Sequence, residues 1–166
     1  AFDTYEYDIK YLLFRESDSL VNFALRTGMT WFSQKNREDA SGFFVQLLFD
    51  RTFAKRFLIG TGILYHSDSS NNTKKSSDKS YSYALPLLLQ MRVNSWFALN
   101  LDSSYSIFGY SSKYSILSLA TKIITNRHTF AFVITNSQYM SADSIITNTD
   151  RKFDDFIAGF TITREF

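Results

Sequence analysis

Along almost the whole chain, hydrophobic and polar residues alternate one by one. In the run from Phe153 to Phe166, one set is Phe156, Ala158, Phe160, Ile162, Arg164 and Phe166; the other is Ile157, Gly159, Thr161, Thr163 and Glu165. A period of two sends successive side chains to opposite sides of an extended backbone, so this run predicts a strand with one apolar face. The same pattern sets Tyr5, Tyr7, Ile9, Tyr11 and Leu13 against Glu6, Asp8 and Lys10. It sets Phe23, Leu25, Met29 and Trp31 against Asn22, Ala24, Arg26, Gly28 and Thr30. Further on, Phe43, Val45, Leu47 and Phe49 oppose Gln46 and Asp50, and Phe57, Ile59, Ile63 and Tyr65 oppose Gly60, Gly62 and His66. The cleanest run is Tyr81, Tyr83, Leu85, Leu87, Leu89, Met91 and Val93 opposite Ser82, Ala84, Gln90 and Arg92. Phe97, Leu99 and Leu101 then face away from Ala98, Asn100, Asp102 and Ser104, and Phe130, Phe132 and Ile134 away from Thr129, Ala131 and Thr135. The run 113–124 is the weakest, with apolar residues on both faces. Together these make nine strands, most about ten residues long, the length that crosses a bilayer when tilted. Pro86, inside a strong strand, points to an edge or a bulge.

The connections alternate in length. Short ones fall at 16–19, 51–56, 94–95 and 125–127; long polar ones fall at 33–41, 67–80 and 139–152, with 108–112 brief. Short turns on one rim and long loops on the other is the arrangement of an outer-membrane β-barrel. Aromatic residues collect near strand ends: Trp31, Phe32, Tyr65, Tyr81, Tyr83, Trp96, Phe108, Tyr110, Tyr139, Phe153 and Phe166. Rings at two interfaces form the girdles of such a barrel, although strands are rich in aromatics for reasons of packing alone.

Composition narrows the reading. A length of 166 residues fits one domain, 1–166, and a net charge of +2 is too small to argue for nucleic acid. The absence of Cys excludes disulfides and thiolate metal sites. No apolar stretch approaches the roughly 20 residues of a membrane helix, but barrel strands alternate and so hide from hydropathy averages.

The last third carries a resemblance. His128, Phe130, Thr135, Asn136, Ser137 and Met140, followed by Gly159, Phe160, Ile162, Arg164 and Phe166, resemble the closing pattern of an uncharacterised family of membrane-bound β-barrel domains of Bacteroidota. Tyr139 stands where that pattern has Gly. The resemblance implies a C-terminal portion of a barrel whose N-terminal strands lie outside 1–166. It supplies an address in the membrane and no reaction. An odd count of nine agrees, since single-chain bacterial barrels have even numbers of strands.

The expected fold is therefore all-β: an antiparallel up-and-down transmembrane barrel, a fragment of a larger even-stranded one. The expected function is that of an integral outer-membrane barrel, structural or a passive pore, in the outer membrane of a Gram-negative bacterium, with no catalysis and no cofactor. Glu6, Asp8, Lys10, Arg26, Gln46, Asp50, Arg92 and Asp102 share the polar face and are the candidate lumen lining, as a water-filled pore or a salt-bridged plug. Phe160, Ile162, Arg164 and Phe166 are the candidate assembly signal, read by a barrel assembly machinery; the other partner is outer-membrane lipid. His66 next to Ser67 is the only hint of a lipid hydrolase, but neighbours in a strand point to opposite faces, so the spacing does not make a nucleophile–base pair. His128, beside a short turn, fits a turn hydrogen bond; with two His in the chain a metal site lacks partners. The charges of 150–155 and 74–79 read as solvated loops. The competing class is a soluble lipocalin-like barrel with an apolar ligand inside, and the discriminating feature is which face points outward.

Overall fold

A computed structural model describes residues 2–34, 40–68, 81–109, 111–137 and 141–164. It contains one sheet of nine antiparallel strands in chain order: β1 (Phe2–Phe14), β2 (Asn22–Gln34), β3 (Ala40–Phe53), β4 (Phe57–His66), β5 (Ser82–Arg92), β6 (Phe97–Phe108), β7 (Ile116–Ile124), β8 (His128–Thr135) and β9 (Ile157–Arg164). Each strand pairs with its successor, so the nine expected strands and their up-and-down order are present. The sheet is curled into a half-barrel, because one cleft on its inner side is lined by residues from β1 and from every strand between β3 and β8. β1 and β9 run in the same direction, and neither has a strand on its outer side among the described residues.

The faces are those of a soluble barrel turned inside out. Ile9, Leu87, Leu119, Phe132, Phe160 and Ile162 stand on the outer, exposed side. Ala24, Thr30, Ala84, Asn100, Ser118 and Ala131 are buried on the inner side. A soluble barrel needs the reverse, because exposed apolar surface costs about 25 cal/mol per Å² in water. The lipocalin alternative therefore fails on the feature that was to decide it.

The outward aromatics form two rows. On the long-loop rim, Phe43, Tyr65, Tyr83 and Phe108 run across β3 to β6 with centroid separations of 5.6, 5.2 and 6.5 Å. On the short-turn rim, Phe14, Phe23 and Phe49 follow one another at 6.1 and 4.7 Å. Phe43 and Phe53 lie on the two rims of one strand, which corresponds to about 33 Å along the strand, or about 25 Å along the normal once tilted. That matches the apolar band of an outer-membrane barrel. Tyr110, Tyr139 and Phe166 lie outside the described residues, as does the side chain of Phe32.

Three expectations are corrected. Leu13 does not continue the outward set in register. A bulge between Leu12 and Phe14 pairs Phe14 with Phe23 instead, and the two rings stack. Pro86 is on neither an edge nor a bulge: β5 lies between β4 and β6, and its pairing register with β4 is the same on either side of it. Only the rungs joining Gly62 to Pro86 and Ile63 to Leu85 are missing. Proline has no N–H to offer, so the break in the ladder falls where no donor is lost. Thr61 Oγ1 donates to the Pro86 carbonyl at 3.1 Å.

The third correction concerns 139–152. The segment is not simply a polar loop, because it carries the short helix α1 (Ala142–Thr147). Ser141 is the N-cap, its Oγ accepting from Ser144 N at 3.3 Å. One face of α1 packs inside the half-barrel: Ala142 and Ile146 form a fully buried cluster with Phe44, Leu64 and Ala84.

Candidate functional site

The inner wall is the candidate site, and its side chains fall into three groups. Nearest the long-loop rim is Arg26, between Glu6 and Asp8 on the neighbouring strand. Its Nη2 lies 2.7 Å from Glu6 Oε1 and 2.8 Å from Asp8 Oδ2, and its guanidinium sits 5.0 Å from the Phe44 ring centroid. The register sets Lys10 directly opposite Arg26, with Asp8 two residues back along β1, so one cation draws on two carboxylates of β1. Glu6 Oε2 also accepts from Ala142 N at 2.6 Å, which ties α1 to a strand 136 residues earlier in the chain.

His66 is fully buried in the same group. Its Nδ1 accepts from Asp68 N at 3.3 Å, which leaves Nε2 as the protonated nitrogen, 3.3 Å from Thr30 Oγ1. Thr30 Oγ1 in turn lies 3.5 Å from Glu6 Oε2. The imidazole is stacked near Phe44 with centroids 6.3 Å apart, so His66 is a packed wall residue. Ser67 faces away, its Oγ accepting from Phe43 N at 3.0 Å, and the His66–Ser67 pair has no nucleophile–base geometry.

Below α1 lies a cleft of about 280 Å³. Lys10, Gln46, Asp50 and Asp102 line it together with the hydroxyls of Ser104, Ser118 and Thr135 and the apolar Leu48, Leu88 and Ile116. Asp50 accepts from Asn22 Nδ2 at 2.7 Å. Toward the short-turn rim follows a third group: with its amide turned to suit its neighbours, Asn100 donates to Gln90 Oε1 at 3.2 Å and accepts from Lys122 Nζ at 2.8 Å. Arg92, at the end of β5, is exposed at that rim and does not reach the cleft.

Of the eight candidate lining residues, Glu6, Asp8 and Arg26 are thus brought together as one ionic group. Lys10, Gln46, Asp50 and Asp102 share the cleft, and Arg92 stands apart at the mouth. Lys122 and Asn136 are additions. Lys122 was hidden because β7 carries apolar residues on both faces: Ile116 points inward under α1 while Leu119 and Ile123 point outward.

Asn136 is the fastening of the long 136–156 connection. Its Nδ2 donates to the Ser115 carbonyl at 3.0 Å, its Oδ1 accepts from Leu117 N at 2.8 Å, and its own carbonyl accepts from Thr149 Oγ1 at 3.1 Å. Thr135 Oγ1 beside it accepts from Ser118 Oγ at 2.8 Å and from Ser137 N at 3.1 Å. The Thr135–Asn136–Ser137 run is therefore a structural latch between β7, β8 and the connection. Asn136→Ala orphans buried backbone groups and is expected to cost about 1–3 kcal/mol. The check is a fall in the temperature at which the folded band is lost on a gel, with Ser17→Ala, in the exposed β1–β2 turn, unchanged.

A family model described as Membrane bound beta barrel domain (DUF5777) matches residues 2–166. The chain belongs to this family. Neither a functionally described protein nor a solved structure matches it. Membership agrees with the outward apolar face: the chain is a membrane-bound β-barrel domain, and its half-barrel is the wall of that barrel. The residues that carry the resemblance fall in the latch at Thr135–Ser137 and in β9, where Phe160 and Ile162 face outward opposite Phe132 and Phe130. Arg164 stands opposite His128, whose backbone closes the β7–β8 turn: His128 N donates to Thr125 Oγ1 at 3.0 Å and its carbonyl accepts from Thr125 N at 2.8 Å. Met140 and Phe166 lie outside the described residues.

Proposed function

We propose that this family member is an integral outer-membrane barrel of a Gram-negative bacterium, structural or a passive conduit, without catalysis of its own. The observation that carries the reading is the pair of outward aromatic rows enclosing an apolar band, with the Glu6–Asp8–Arg26 ions on the inner wall and the outward Arg51 held at the short-turn rim by Glu16 and the Phe53 ring. Glu6, Asp8, Lys10, Arg26, Gln46, Asp50 and Asp102 then face the lumen, with Arg92 at its short-turn mouth. Charges of both signs interleave on that wall, which favours weak discrimination between small cations and anions. The partners are lipid around the outer face and an assembly machinery reading Phe160, Ile162, Arg164 and Phe166 on the last strand. Because β1 and β9 run in the same direction, antiparallel closure takes an odd number of further strands between them, which makes the total even.

The test is behaviour in membranes. The full-length protein should require detergent for extraction and migrate differently on a gel before and after heating. In planar bilayers, any conductance should show a cation-to-anion permeability ratio near about one. Release from the periplasm without detergent sinks the reading; strong ion selectivity removes the balanced-lumen part of it.

A further inference from the structure

The two ends of the inner cleft differ in kind. Toward the long loops an apolar cap of Phe44, Leu64, Ala84, Ala142 and Ile146, all fully buried, closes over it beside the Glu6–Asp8–Arg26 ionic group. Toward the short turns the wall is polar, through Gln90 and Lys122, and ends at the exposed Arg92. An apolar seal excludes water and ions, whereas a polar approach stays hydrated.

The seal depends on α1, and α1 is pinned from widely separated strands. Ala142 N is held by Glu6 on β1, and the Ile145 carbonyl accepts from Ser104 Oγ on β6 at 2.7 Å. Behind it, Thr147 and Thr149 are bonded through their backbones to Ser112 and Tyr114 at 2.7 and 2.9 Å. A six-residue helix is not stable alone, so these contacts are what hold it inside. Ile145 lines the cleft while its carbonyl is anchored, so the helix forms the roof of the cleft.

We infer that α1 is a built-in constriction, closing the lumen on the long-loop side and leaving the cleft to small polar solutes from the short-turn side alone. This rests on the membrane-barrel reading above. Access is therefore one-sided in the resting protein, and the Glu6–Ala142 bond is the point at which the roof is released. Because Glu6 also holds Arg26, loss of its carboxylate frees the helix N-terminus and loosens the wall beneath it at once.

The chain has no Cys, so one introduced thiol reports access cleanly. Lys10→Cys puts it in the cleft. The full-length variant is reconstituted in one orientation and treated from either side with a membrane-impermeant thiol reagent. Modification from the short-turn side is expected to be faster by about tenfold, a difference of about 1.4 kcal/mol in barrier. Adding Glu6→Ala, or replacing 142–147 with a Gly-Ser stretch, should raise the long-loop-side rate until the two sides converge. Equal rates from both sides in the Lys10→Cys protein overturn the inference, as does sidedness that survives Glu6→Ala. If the helix replacement does not fold, the first two proteins still decide. A protein that lacks heat-modifiable migration altogether contradicts the barrel reading instead, so the two failures are distinguishable.

Discussion

Leu87→Arg is expected to abolish assembly, while Asp102→Asn in the register-adjacent strand leaves it nearly intact. Leu87 is 45% exposed on the outer face of β5, between the two aromatic rows and opposite Thr61 and Ser103. An arginine at that depth trades lipid contact for a buried charge, a loss of about 2–4 kcal/mol at the bilayer midplane. The neighbouring outward hydroxyls illustrate the rule in milder form. Thr61 and Ser103 do not leave their Oγ atoms to lipid but donate them to the carbonyls of Pro86 and Ile116. Asp102 faces the cleft, so its neutralisation leaves the outer face and the strand pairing unchanged and is expected to cost less than about 1 kcal/mol. The readout is the folded fraction by heat-modifiable migration after refolding into lipid. Equal losses in the two variants contradict the face assignment.

The second large effect is expected at Gly62. A Cβ built there would collide with the Leu47 carbonyl oxygen, a backbone atom that no rotamer change can move. Gly62 sits at the gap in the β4–β5 ladder, across from Pro86. One residue without a side chain and one without an N–H thus mark the same point of the sheet. Gly62→Val should cost at least the upper end of an overpacking penalty, about 3 kcal/mol, with loss of the folded band. Gly159→Val is the control, because a Cβ at Gly159 meets nothing within 4 Å. Both substitutions raise strand propensity equally, so propensity predicts no difference between them. A Gly62→Val protein as stable as Gly159→Val would show that the close approach is not needed for the curl.

These two positions define how the wall is built. The outer face is selected by lipid, which accepts any large apolar side chain. The inner face is selected by curvature, which demands small residues where strands approach, and it gathers Glu6, Asp8 and Arg26 into one ionic group. An inner cation such as Arg26 is therefore held by two carboxylates and a ring at once.

Much of this architecture is local and so was legible in the chain. A period of two is a property of consecutive residues, and it assigned the outward face of Phe23, Leu87 and Phe160 and the inward face of Glu6, Arg26 and Asp102 directly. Turn lengths are likewise local, so the two rims and the strand order were readable. Three features were not. The Leu12–Phe14 bulge inserts one residue against a partner strand, and only the pairing reveals it. Pro86 is accommodated by a gap opposite Gly62, a contact between strands that the sequence leaves 24 residues apart. The helix at 142–147 has a serine cap and an acidic first turn, but it is too short to hold itself; Glu6, Ser104 and the Phe44 cluster hold it. Alternation by itself divided the strands into an apolar and a polar face, because the pleat leaves no other choice; that the apolar face is the outer one was decided by the direction in which the sheet curls. What fills the hollow was decided only in the tertiary structure, because the groups that capture α1 come from strands distant in the chain and meet only when the sheet curls.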